Sequence, residues 1–114
     1  MEGMELIAFQ IISAVGTARS MYIEAISCAR AGEFDKARSL IKEGEECFVE
    51  GHKAHAGLVQ QEAAGDAVNP TLLLTHAEDQ LMSAEAFKII ATQFIDLYEK
   101  LISKGSLEVE KNEN

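Results

Sequence analysis

Proline occurs once in this 114-residue chain, tryptophan never, and aromatic residues make up only 6% of it. These shortages weigh against a sheet protein, because no alternating runs of β-branched and aromatic residues appear. Cysteine is also scarce. Cys28 and Cys47 lie in different segments at apolar helical positions, without CxxC spacing, so they read as reduced core residues. Basic residues number 10 against 19 acidic ones, for a formal net charge of −9. That balance disfavours nucleic acids and anionic membranes and leaves room for a basic protein partner. No stretch approaches the roughly 20 uninterrupted apolar residues of a membrane span. No basic region followed by an apolar block marks the N-terminus. A cytoplasmic protein is expected.

What the chain has in quantity is helical pattern. A first helix is predicted over 4–31, with Ile7, Ala8, Ile11, Val15, Ala18, Tyr22, Ala25 and Ala29 as a narrow seam of small residues. Gly32 is its expected C-terminal cap. A second helix is predicted over 33–64, its inner face marked by Phe34, Ala37, Ile41, Gly44, Phe48, Gly51, His55 and Leu58. A glycine inside a helix costs about 1 kcal/mol against alanine. Close approach of a neighbouring helix would explain Gly44 and Gly51. Asn69 as N-cap followed by Pro70 predicts a third helix over 70–104, ended by Gly105. The tail 105–114 is expected to be disordered. The fold class is therefore all-α, a single domain of three long antiparallel helices.

The third helix carries the chemistry. At roughly 100° per residue, His76, Asp79 and Gln80 share one arc with Leu72, Phe87, Ile90, Phe94, Leu97 and Leu101. Glu78, Glu85, Thr92, Asp96 and Ser103 fall on the opposite side, the expected solvated face. Ionisable groups are normally kept off an apolar stripe, because an unpartnered buried charge is expensive. Two ionisable groups and an amide together on that stripe suggest a site. A neighbouring ridge of Ala77, Ala84, Ala91, Ile95 and Ile102 widens the apolar surface beyond what one neighbour can cover. Association through this helix is the economical outcome.

Neutral imidazole is a nucleophile near neutral pH and can take a phosphoryl group as a phosphoramidate. Gln80, four residues after His76, can hydrogen-bond imidazole or phosphate. Asp79 needs a proton, a cation or a metal. Were three copies to meet on an axis, their Asp79 carboxylates would repel. A hard divalent ion, Mg²⁺ first, would relieve that. Leu73 and Ala77 are candidates for an apolar docking rim. His52 and His55 have i, i+3 spacing without a third ligand, so packing or solvation is the simpler reading. Met21 and Met82 read as core fillers, and Glu43, Glu45, Glu46 and Glu50 as a wet face.

The run His76-Ala77-Glu78-Asp79-Gln80-Leu81-Met82, preceded by Leu72-Leu73-Leu74, resembles the active-site helix of IIA components of the lactose/cellobiose branch of the sugar phosphotransferase system. Val15-Gly16-Thr17-Ala18-Arg19-Ser20 and Ile41-Lys42-Glu43-Gly44 extend the resemblance, which covers roughly Met4 to Lys100. It implies a homotrimer with His76 at a subunit interface, taking phosphate from the phosphocarrier HPr and passing it to a cysteine of IIB. Asp79 would bind metal on the three-fold axis, and Gln80 would neighbour His76. Association with the membrane permease would run through IIB. Lactose-type members tend to have histidine in place of Gln80 and Gly-Gln in place of Ala77-Glu78. The pattern here is more similar to the cellobiose, chitobiose or other β-glucoside type, which favours one of those β-linked sugars over lactose. A rival reading is a non-catalytic oligomeric adaptor whose His76 and Asp79 fix an interface.

Overall fold

The computed structural model describes residues 3–109. Helices α1 (Gly3–Arg30), α2 (Phe34–Ala63) and α3 (Leu72–Ser103) run up, down and up in a rod of 57 × 28 × 20 Å. α1 is the central element. Ala8, Ile11, Val15, Ala18, Tyr22, Ala25 and Ala29 are fully buried along its seam, so the expected periodicity is the one the fold uses. Three successive clusters share that seam. Ala8, Ile11 and Val15 pack with Ala77, Leu81 and Ala84, Tyr22 with Ala91, and Ala25 and Ala29 with Ala37 and Ile95. By length and composition α1 could also cross a membrane. Its apolar seam is instead the surface on which α2 and α3 pack.

The two glycines of α2 mark its closest approach to α1. A Cβ on Gly44 would stand 2.6 Å from Tyr22 Cε1, and one on Gly51 would stand 2.7 Å from Val15 Cγ1. Each site therefore trades helix propensity for inter-helix contact, as expected. At the end of α1, Gly32 adopts φ +80°. Its amide donates to the Ala29 carbonyl, and the Glu33 amide donates to Cys28. This paired arrangement satisfies two of the last carbonyls of the helix. The same pattern recurs at Gly65 and Gly105.

The start of α3 differs from expectation. The N-cap is Thr71, not Asn69, and Pro70 precedes the cap instead of opening the helix. The Thr71 hydroxyl accepts from the Leu74 amide at 3.0 Å, satisfying an orphan donor that Asn69 lies too far back to reach. Beyond α3, residues 105–109 carry no helix or strand and are exposed. Val109 folds back so that its side chain would lie 3.1 Å from a Cβ on Gly32. The rest of the tail expectation, 110–114, lies outside the described residues.

Tyr22 is fully buried, and its hydroxyl has no hydrogen-bond partner among the described residues. Burial first, then the nearby Glu45 and Cys47, push its pKa up to about 12. An unmade buried hydrogen bond costs about 1–3 kcal/mol. Tyr22→Phe should therefore stabilise the protein by about 1 kcal/mol at neutral pH, read by thermal melting. Because the folded pKa lies above the unfolded value, the wild type keeps its full stability below pH 10 and loses it as pH rises towards 12. The phenylalanine variant should lack that component of alkaline loss.

Candidate functional site

α3 has two apolar faces with different fates. Leu74, Ala77, Leu81, Ala84, Ala91 and Ile95 turn inward and are buried. Most of the arc bearing the polar triplet turns away from α1 and α2, but Phe87 packs against Ala18 and Tyr22 and lies under the Arg19 guanidinium. On it Leu72 is 87% exposed, Leu97 50% and Phe94 40%. His76 and Asp79 are exposed on this arc, and Gln80 is half-buried. Within one chain the sequence therefore places the triplet on an uncovered apolar surface, not in a core. His76 is the fifth residue of α3, in its second turn. Among the described residues none of His76, Asp79 and Gln80 has a side-chain hydrogen bond or ion pair, so no bond joins Gln80 to the imidazole.

Several neighbouring expectations need correction. Ala77 is fully buried against α1 and cannot form a docking rim, whereas Leu73 is half-buried. Met82 is 70% exposed, because it sits on the flank of α3 away from both partners. Glu78 lies on the expected solvated face but is only half-exposed. It accepts or shares a hydrogen bond with His55 Nε2 at 2.7 Å, across the α2–α3 seam. Two further cross-links follow along that seam. Lys88 pairs with Glu45 at 2.8 Å, and Arg38 pairs with Asp96 and Glu99 at 3.2 and 3.0 Å. The side of α3 read as wet is thus the side that meets α2 through charge. His52 lies beside the Phe48 ring, with centroids 6.0 Å apart. Cys28 and Cys47 are both free, and burial pushes the Cys28 thiol up, which suits an inert core residue.

A groove of about 510 Å³ between α2 and α3 is lined by Phe48, Val49, His52, Lys88 and Ile89, among others, and contains no member of the triplet. No group of three His, Cys, Asp or Glu side chains among the described residues is arranged to hold a metal ion.

Residues 6–99 match the family described as the lactose/cellobiose-specific IIA subunit of the phosphotransferase system. This chain belongs to that family. The IIA component is 41% identical over 100 residues to the lichenan-specific phosphotransferase enzyme IIA component of Bacillus subtilis, covering 88% of this chain and 91% of that one. It is 35% identical over 99 residues to the lactose-specific EIIA component of Staphylococcus aureus, covering 87% and 96%. Its backbone matches the crystal structure of the cellobiose-specific enzyme IIA from Bacillus anthracis with a TM-score of 0.88 at 39% identity, covering 91% and 95% of the two chains. IIA components are phosphotransferase components, and this one is a phosphocarrier of the sugar phosphotransferase system.

Thr71, Glu78 and His55 are the residues around the triplet that sequence reasoning misplaced or undervalued. A signal for the last two exists. Moving ten residues back along α2, from His55 to Glu45, matches moving ten forward along α3, from Glu78 to Lys88. Complementary polar pairs in antiparallel register identify the seam.

Proposed function

We propose that this IIA component accepts a phosphoryl group on His76 from phosphorylated HPr and passes it to the IIB cysteine, in the cytoplasm. The observation that carries this reading is the state of the three histidines. His55 is tied to Glu78 and His52 rests beside Phe48, while His76 stands exposed and unbonded on the motif helix. In the loading step the imidazole nitrogen lone pair attacks phosphorus as the bond between phosphorus and the donor breaks, leaving HPr dephosphorylated. In the unloading step a thiolate attacks and the His76 phosphorus–nitrogen bond breaks. Phosphate is conserved throughout and no further reactant is needed. An exposed imidazole in the second turn of α3 suits transfer between docked proteins, where alignment supplies most of the advantage.

The uncovered arc of α3 supports assembly as a homotrimer around this helix, burying Leu72, Ile90, Phe94 and Leu97. Asp79 lies on the same arc and would hold a divalent cation, Mg²⁺ first, shared between copies. When bound, that ion would neutralise the converging carboxylates. Asp79→Leu should keep or tighten the assembly while making it indifferent to EDTA, as read by sedimentation equilibrium. A monomeric Asp79→Leu variant counts against the shared site. For the sugar, Gln80 and the Ala77-Glu78 pair favour a cellobiose-type β-linked disaccharide. The lichenan- and cellobiose-named relatives match at 41% and 39% identity, and lactose-specific ones at 35–37%.

Incubation with phosphorylated HPr tests the central claim. Acid-labile, base-stable phosphate on the IIA component, subsequently discharged to IIB, is the expected result. Absence of transfer would count against His76 as the phosphoryl carrier between these two partners.

A further inference from the structure

We propose that His55 and Glu78 are positioning residues for the transfer at His76, fixing the rotation of the first turns of α3 about its own axis. This rests on the assignment of His76 as the phosphoryl carrier. Residues 64–71 connect α2 to α3, so the start of α3 is held by what it touches. On the α1 side Leu74 and Ala77 are buried. On the α2 side packing is incomplete. A cleft of about 100 Å³ remains there, lined by Leu58, Val59, Glu62, Val68, Pro70 and Leu74 along with the polar pair itself. The His55–Glu78 bond spans this place at 2.7 Å, with the side chains 22% and 46% exposed. Among the described residues the next polar tie between α2 and α3, Glu45–Lys88, lies ten residues further along α3, about 15 Å away.

Helical geometry couples the pair to the site. His76 and Glu78 are two residues apart, so at roughly 100° per residue their side chains point about 160° apart. One faces the open arc and the other faces α2. Any rotation that pulls Glu78 from His55 swings His76 through the same angle. At the roughly 5–6 Å radius of a helix with side chains, a rotation of about 20° moves the imidazole about 2 Å. Displacement of about 1 Å can cost about 100-fold in a transfer that needs alignment.

The test compares Glu78→Ala with Glu78→Gln in steady-state transfer from phosphorylated HPr. The alanine variant should lose at least tenfold in kcat, with KM for phosphorylated HPr within twofold of wild type. The glutamine variant, which can still accept from the imidazole N–H, should stay within threefold of wild type. NMR signals of the His76 ring should shift in the alanine variant and return in the glutamine one. If Glu78→Ala does not fold by circular dichroism, His55→Ala and His55→Gln are read in the same way. Unchanged kcat in the alanine variant overturns the proposal, as does a rise in KM alone or a glutamine variant as impaired as alanine. A wild-type protein that takes no phosphate on His76 instead overturns the function on which it rests.

Discussion

His76→Gln is expected to abolish phosphoryl transfer while leaving fold and stability intact. The glutamine amide has no nitrogen lone pair available to attack phosphorus, so no phosphoramidate can form. The loss should reach the detection limit, because no other imidazole lies on the open arc. Asp79 is a carboxylate and Gln80 an amide, and the exposed His52 lies on a different helix beside Phe48. Structurally the change should be mild. The imidazole is exposed and has no hydrogen bond among the described residues, so the stability change should stay within about 0.5 kcal/mol. Transfer of labelled phosphate from HPr and a thermal melt on the same preparation check both halves. His52→Gln should remain fully phosphorylatable. Label retained in His76→Gln would show that another residue carries the phosphate.

Gly44→Ala should destabilise the protein by about 2–3 kcal/mol, even though alanine is the better helix former by about 1 kcal/mol. The added methyl would sit 2.6 Å from Tyr22 Cε1 and 3.3 Å from the Ala18 carbonyl oxygen. Tyr22 is fully buried and cannot step aside, so α1 and α2 must separate. Overpacking of this kind costs about 1–3 kcal/mol and more where backbone has to move. For a chain of this size the melting temperature should fall by about 10 °C, measured at fixed protein concentration. Gly57 provides the opposing control. It lies in the same helix with nothing within 4 Å of an added Cβ, so Gly57→Ala should stabilise by up to about 1 kcal/mol. Equal melting temperatures for Gly44→Ala and wild type would refute the close-packing account.

The contrast between these two glycines shows what was legible in the sequence. Gly44 and Gly51 lie on the inner face of α2, at the same period as Ala37 and Leu58, so burial periodicity alone singled them out. The seam of α1 was readable for the same reason. Periodicity could not say which of two apolar faces of α3 the single chain covers. The Ala77–Ala84–Ala91–Ile95 ridge goes inward because its small residues let α1 come near, leaving the bulkier arc with His76 uncovered. Glu78 was misread because a carboxylate on a helix face looks alike whether it meets water or a partner's imidazole. Only the register between α2 and α3 separates those cases. At the start of α3, Asn69-Pro70 and Thr71 offered competing caps, and the hydroxyl that reaches Leu74 won.

The unequal seams of this bundle also set how it yields. α2 and α3 are each glued to α1 by oil, but to each other largely by partly exposed charges, which are individually weak and fade in brine. Such a molecule can gape along that one edge, like a book on its spine, without its centre coming apart.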